Sequence, residues 1–414
     1  MEARKYGVLS IPVIIGALGY FVDIYDLLLF GIIRKQSLAD LGLAGDQITS
    51  VGQDIYSIQM VGLLLGGIIW GIMGDKRGRL SVLFGSIILY SLANIANGMV
   101  VNITEYKIAR FVGGLGLAGE LGAGITLVSE LLSKEKRGIG TALVAGIGLT
   151  GAVVAYFISQ HFSWRICFYI GGGLGILLLL LRISVYESGM FQELKKLDVS
   201  RGKFIMLFNN RKRFNKYLRS ILIGLPTWFV IGVLVSFSDT FGRALGIKEA
   251  IQPGKAIMFA YAGISIGDVL IGLVSQLLKS RKKALFLFYF ITALFMGLFF
   301  TLKNGTASQM YWVCAGLGFG TGFWAIFVTM AAEQFGTNLR ATVATTVPNM
   351  VRGSLPLILR LYHWLVSLTG KELIAALYTG LIVMIIAIWA AAGSEETFGK
   401  DLNYVEQDTV APTP

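Results

Sequence analysis

Gly71-Ile72-Met73-Gly74-Asp75-Lys76-Arg77-Gly78-Arg79-Leu80 stands between two long apolar runs, Val51–Trp70 and Ser81–Val100. A short, glycine-permitted, strongly basic turn therefore joins two segments long enough to cross a bilayer. Basic residues collect on the cytoplasmic side of membranes, so the turn also sets the direction of both helices. Asp75 is the odd member, an acid among cations at a helix end. It is placed to accept from Arg77 or Arg79, or from a neighbouring helix N-terminus. Gly71 and Gly74 lack side-chain bulk, which lets another helix approach closely.

The surrounding composition agrees. Hydrophobic residues make up 55% of the chain and charged residues only 14%, with a mean hydropathy of +0.70. That describes a polytopic membrane protein rather than a soluble globule. The net charge of +12 is not a nucleic-acid signal, because its placement is topogenic. About 23 Lys and Arg fall on one side of the expected spans, about nine on the other and about four within them. Cys167 and Cys314 lie in apolar segments and read as packing residues, with no disulfide or metal role. The first apolar run is long and lacks a small-residue cleavage site after it, so it reads as a retained helix.

About twelve spans of bilayer length are expected, in an all-α integral membrane fold of two six-helix halves. Residues 1–185 form the first half, 186–217 a basic cytoplasmic linker, 218–393 the second half and 394–414 a cytoplasmic tail, so that both termini are cytoplasmic. The halves read as weak repeats. Glu130 is followed seven residues later by Arg137, and Glu333 seven residues later by Arg340. Gly71 has a counterpart in Gly272, although Gln276 stands at the Asp75 position. Halves repeated about an axis along the membrane normal imply alternating access by rocking around a central site.

The 71–80 turn resembles the loop between helices 2 and 3 of the major facilitator superfamily. Arg110-Phe111-Val112-Gly113-Gly114-Leu115-Gly116-Leu117-Ala118-Gly119-Glu120 is similar to the fourth-helix motif of its metabolite:proton symporter and sugar-porter branches. Glu130 with Lys136-Arg137-Gly138 resembles the motif at that helix's inner end. Phe21-Val22-Asp23-Ile24-Tyr25-Asp26, Ser163-Trp164-Arg165 and Tyr186-Glu187-Ser188 resemble markers of the first and sixth helices. The match spans nearly all of Met1 to Phe191 and thins afterwards to Glu333, Arg340 and the helix pattern. Gln276, and Gly189 where the symporters usually carry Pro, depart from the pattern. The Gly114, Gly116, Gly119 spacing is G-x-G-x-x-G, but no strand precedes it, so a dinucleotide fold is excluded. Gly62, Gly66 and Gly67, Gly71 are small-xxx-small pairs that read as helix packing. The fifth helix lacks the Pro typical of proton-antiport exporters, which argues against a drug exporter.

Ionisable residues inside spans are costly and are functional candidates by default. Helix rise places Asp26 about 28 Å along the first helix from the inner face, and Arg110 about 8 Å down the fourth from the outer face. The two share the outer third. The resemblance implies that they form the proton-coupling pair; a permanent structural ion pair is the other reading. Asp23 shares a helix face with Asp26. It and Glu120 are candidates for a second proton carrier or for the partner of a cation. In the eleventh span, Pro348 and Pro356 predict a break lining a cavity, and Arg352 lies near the midplane, about 18 Å from the inner end. Arg352 there suits an anionic substrate group, or else pairs with Asp268 of the eighth span. Asn349, Tyr56, Gln59, Trp228, Tyr261 and Trp324 are candidate pocket residues. Glu130, Arg137, Glu333 and Arg340 are expected to form a cytoplasmic gate with Gly71, Asp75, Arg77, Gly78 and Arg79, through bonds made in one conformation and broken in the other.

The expectation is a monomeric secondary transporter of the cell (inner) membrane, embedded in lipid and free of nucleic acid. It would import a small organic anion or zwitterion by proton symport. No P-loop is present, so the chain is expected to use a proton gradient and no cofactor. A proton-driven exporter and a sugar-type porter are the alternatives. With two His and no nucleophile–base–orienter set, an enzyme is not expected.

Overall fold

The computed structural model describes the backbone of residues 7, 9–77, 79–120, 134–187 and 204–400, with side chains except at 12, 74–77, 79–80, 134–143, 184–187, 337–338 and 341. The described residues form helices and connections, with no strand among them. Ten described helices or helix pairs are long and apolar enough to cross a membrane. Two further crossings bring the count to the expected twelve. One is represented by Ile103–Leu117, which is too short to qualify alone. The other is split into two pieces too short to qualify alone.

The first half comprises α1 (Ile11–Asp40), α2 (Asp46–Arg77), α3 (Arg79–Met99), α4 (Ile103–Leu117), α5 (Lys134–His161) and α6 (Trp164–Glu187). In the second half, α7 (Arg211–Phe229) runs through a π turn (Val230–Val235) into α8 (Ser238–Ala244). Then come α9 (Pro253–Leu277), α10 (Arg281–Thr301), the pair α11 (Ala307–Thr321) and α12 (Trp324–Glu333), the pair α13 (Thr337–Gly353) and α14 (Leu355–Thr369), and α15 (Glu372–Ala392). We call the end of the bundle where α1 starts the near face and the end where it finishes the far face. Polar side chains fix several starts: Asn102 accepts from Glu105 N–H at α4, Ser280 from Lys283 N–H at α10, and Thr306 with Gln309 forms a capping box at α11.

Glycines set how closely the helices cross. A Cβ on Gly66 of α2 would lie 2.9 Å from the Leu115 Cα of α4, and one on Gly114 3.1 Å from the Leu63 backbone nitrogen. The second half repeats this crossing. A Cβ on Gly263 of α9 would lie 2.8 Å from the Phe319 backbone nitrogen, and one on Gly267 3.0 Å from the Gly322 Cα. The small-xxx-small spacing is therefore helix packing, as expected. The halves meet along two symmetry-related seams, α2 against α13 and α5 against α9. On the first seam Gly67 faces Asn349 and Gly71 faces Thr346, whose methyl would be 3.3 Å from an added Cβ.

Three spans of the second half are interrupted part-way. The α7 span passes through its π turn four residues after Pro226, the α11–α12 span breaks at Gly322–Phe323, and the α13–α14 span breaks at Ser354. In the last, Pro348 stays inside a continuous helix, and the break falls just before Pro356 in the first turn of α14. Proline at the start of a helix forgoes only an amide that has no intrahelical partner, so the second proline marks the break and the first does not.

At the near face, 393–400 folds back onto the second half. Glu396 accepts from Ser280 Oγ and, at 3.0 Å, from the Arg281 backbone N–H at the start of α10. Lys216 Nζ lies 3.2 Å from Glu395, and the Arg281 guanidinium stands over the Phe398 ring.

Candidate functional site

The centre of the molecule holds Asp23 on α1 and Arg352 on α13. Arg352 Nη2 lies 3.7 Å from Asp23 Oδ2, and both side chains are sealed from solvent. The pair is an ion pair across the two halves without hydrogen-bond geometry. Neither carboxylate oxygen of Asp23 has a hydrogen-bond partner, and neither do Arg352 Nε and Nη1. The guanidinium faces the Trp324 ring at 5.9 Å, and Trp324 opens α12 directly after the Gly322–Phe323 break. Tyr20 and Tyr261, both buried, lie within electrostatic reach of Arg352 and Asp23. Tyr56 of α2 approaches Trp228 of α7 with ring centroids 6.4 Å apart. Residues beside the interruptions of three second-half spans, Trp228, Trp324 and Arg352, thus meet Asp23 from the middle of α1 among several aromatic rings.

Asp268 does not pair with Arg352. Its Oδ1 accepts from the Ala325 backbone N–H at 3.0 Å, capping the first turn of α12. The carboxylate thus substitutes for the helical bonds that the Gly322–Phe323 break removes. Asn349 donates to the Ala118 carbonyl at 2.8 Å, across the seam between the halves. Gln59 donates to the Leu27 carbonyl at 3.2 Å and keeps Oε1 without a partner.

Arg110 reaches Asp26, but through the main chain: its Nη2 donates to the Asp26 carbonyl at 3.2 Å. The Asp26 carboxylate lies against Gly171 of α6, where the Asn94 amide also converges. The Arg110 guanidinium is flanked by the rings of Phe168 at 5.5 Å and Phe30 at 5.9 Å. Glu120 is paired, with Arg182 Nη1 3.0 Å from its Oε2 and a second contact beside it, all buried within the first half. Of the two roles open to Glu120, the geometry puts it at a cation.

At the near face, Glu333 lies 3.5 Å from Arg281, and Arg340 donates to the Phe335 carbonyl at 3.1 Å. The side chains of Asp75, Arg77, Arg79 and Arg137, and the whole of Gly78 and Glu130, lie outside the described residues.

A far-face junction was not foreseen. Arg34 at the end of α1 meets Asp239 of α8 at 2.8 Å, Lys35 meets the other oxygen at 2.9 Å, and Arg34 stacks 4.2 Å from the Phe237 ring. Both Arg34 and Asp239 are buried, and Thr49 and Thr240 meet beside them at 3.5 Å. The depth rule that singled out Arg110 and Arg352 applies equally to Asp239 and Arg182, which is the signal that would have found both pairs.

The family model described as Major Facilitator Superfamily matches residues 16–359. The niacin transporter NiaP of Acinetobacter baylyi is 28% identical over 85% of this chain and 87% of its own length. The 3-(3-hydroxy-phenyl)propionate transporter of Escherichia coli is 26% identical over 71% of this chain and 72% of its own. Among solved structures, that of a D-xylose-proton symporter shares the fold with a TM-score of 0.64 at 17% identity, covering 94% of this chain and 99% of that one.

Proposed function

The chain belongs to the Major Facilitator Superfamily, and from that premise we propose that it imports a small organic carboxylate by proton symport and alternating access. It is a multi-pass membrane transporter, and its relatives are named as transporters of small organic solutes. The observation that carries the finer reading is Arg352, a cation buried at the seam of the halves with two of its nitrogens unpartnered. A buried guanidinium is costly until a planar anion fills its fork, and a carboxylate does so with two parallel hydrogen bonds. The surrounding Trp324, Trp228, Tyr56 and Tyr261 suit a ligand with a flat apolar body. Niacin and 3-(3-hydroxyphenyl)propionate, named for two relatives, are both carboxylic acids carrying a ring.

The proton enters as the second substrate because buried carboxylates of the first half lie beside the cations: Asp23 at Arg352, and Asp26 with its carbonyl on Arg110. Alternating access assigns the two ends their tasks. Arg34, Lys35 and Asp239 close the far face, and Glu333, Arg281, Arg340 and the Gly71 turn belong to the near-face gate. By the basic turn and linker the near face is cytoplasmic, with both termini there and the protein in the inner membrane. One copy of the chain contains the whole site, so a monomer suffices.

The test is uptake into liposomes with an imposed inward proton gradient, using benzoate, nicotinate, xylose and betaine in parallel. Carboxylates are expected to accumulate and to lose accumulation in Arg352→Ala at unchanged melting temperature. Accumulation of xylose or betaine with indifference to carboxylates overturns the reading.

A further inference from the structure

We propose that Asp23 is an internal stand-in for the substrate's carboxylate: it occupies Arg352 in the empty transporter, and the substrate replaces it only when Asp23 has taken up the coupling proton. The proposal rests on the carboxylate reading above and assigns the coupling step to a pair that joins the halves, rather than to Asp26 and Arg110.

The geometry supports a provisional partner. A permanent structural pair deep in the molecule needs short hydrogen bonds to offset the desolvation of both ions. The Glu120–Arg182 pair in the same protein has them, with Arg182 Nη1 at 3.0 Å and a second contact beside it. Asp23 and Arg352 are equally buried, yet stand 3.7 Å apart with both carboxylate oxygens, Nε and Nη1 lacking hydrogen bonds. Asp23 gives Arg352 its charge without giving it the planar fork, so a free carboxylate able to approach closely is the better ligand.

Two carboxylates on one guanidinium would leave a net negative charge in a sealed, ring-lined space, which is expensive. Binding the substrate therefore requires Asp23 to become neutral, and the proton on its carboxyl is the one transported. The other ionisable groups facing Asp23 are Asp26 on its own helix, Glu120 beyond α4, and Tyr20, Tyr90 and Tyr261. Glu120 is neutralised by Arg182, so Arg352 is the one cation in direct contact with Asp23 among the described residues. Because Asp23 belongs to α1 and Arg352 to α13, the exchange also unties the halves at the centre. On release towards the near face the proton leaves Asp23, which recaptures Arg352 and expels the anion.

The experiment uses the purified full chain with benzoate as the probe and benzamide as its uncharged counterpart. In the wild type, benzoate binding is expected to weaken by up to about tenfold per pH unit once Asp23 is ionised, the slope for one linked proton. A pH-indicator dye in weak buffer should report about one proton taken up per benzoate bound, a readout that needs no variant. Asp23→Asn is expected to bind benzoate at least about tenfold more tightly at pH 7.5, without pH dependence. The variant should keep benzoate counterflow and lose accumulation driven by a proton gradient, while benzamide distinguishes neither protein nor pH. Benzoate binding that is weaker or still pH-dependent in Asp23→Asn, or absence of proton uptake in the wild type, overturns the exchange while leaving the carboxylate reading standing. A wild type that binds none of benzoate, nicotinate or 3-phenylpropionate at pH 5.5 or 7.5 overturns both.

Discussion

The charged side chains inside this protein fall into two kinds that burial alone does not separate. Glu120 and Arg182 satisfy each other within one half, whereas Asp23 and Arg352 leave most of their polar atoms unpartnered across two halves. The first kind is structural, and removing one partner strands the other. Glu120→Leu is therefore expected to cost about 3–5 kcal/mol of stability, while Glu120→Leu with Arg182→Met costs far less. Thermal melts of the two variants check this, and equal losses for single and double variants would sink the pairing. The sequence marked Asp23, Asp26, Arg110, Glu120 and Arg352 as buried charges because their depth follows from helix rise. It left Arg352 divided between an anion and Asp268, since partners on different helices depend on rotation about each axis. Asp268 turned out to hold a helix start, a need that exists only because of a break whose sole trace in the sequence is Gly320 and Gly322.

Helix identity was legible nearly throughout, because apolar runs of bilayer length admit one reading. Helix continuity was not. Pro226 and Pro348 remain inside helices, while the breaks at Phe323 and Ser354 carry no proline themselves. Neighbouring helices, rather than the local chain, decide where a backbone carbonyl can be released. Packing by glycine was legible, and it makes a prediction. Gly114→Ala would push a methyl into the α2 backbone at Leu63 and is expected to destabilise by about 1–3 kcal/mol, read as a lower melting temperature with helix content unchanged. The tail element makes another. Glu395 is held below the ordinary glutamate range by its hydrogen bond from Lys400 and its contact with Lys216. Partial burial pushes Glu396 up, but its hydrogen bonds from Ser280 and the Phe398, Arg281 and Lys282 amides outweigh that and hold it down. A depressed carboxyl stabilises the folded form above its unfolded value and stops doing so as pH falls. Hydrogen exchange at 393–400 is thus expected to accelerate below about pH 4.3, where an ordinary glutamate protonates; unchanged protection down to pH 3 would sink the docking.

At the scale of the whole molecule, the two halves are tied at three levels: Arg34 and Lys35 to Asp239 at the far face, Asp23 to Arg352 at the centre, and the α2–α13 seam towards the near face. Untying one level should favour opening at that level. Asp239→Asn is expected to raise the rate at which an impermeant thiol reagent modifies Ile257→Cys, which faces Gly31 across the far-face seam, by about tenfold. No acceleration would mean that the far-face pair does not restrain opening. The halves themselves are unlike. Among the described residues, the spans of α1, α2, α3, α5 and α6 run unbroken, while the second half carries the π turn and two mid-span breaks. In the first half α4 ends at Leu117 with a turn at residues 118–119, so among the described residues the second half carries more of these joints than the first. On the proposed reading the molecule is a pair of jaws with unequal numbers of joints: one carries Asp23 and Asp26, and the more jointed one presents Arg352 to the cargo. On that reading the more jointed jaw can be refitted to new cargoes by small shifts at its joints, leaving Asp23 and Asp26 where they are.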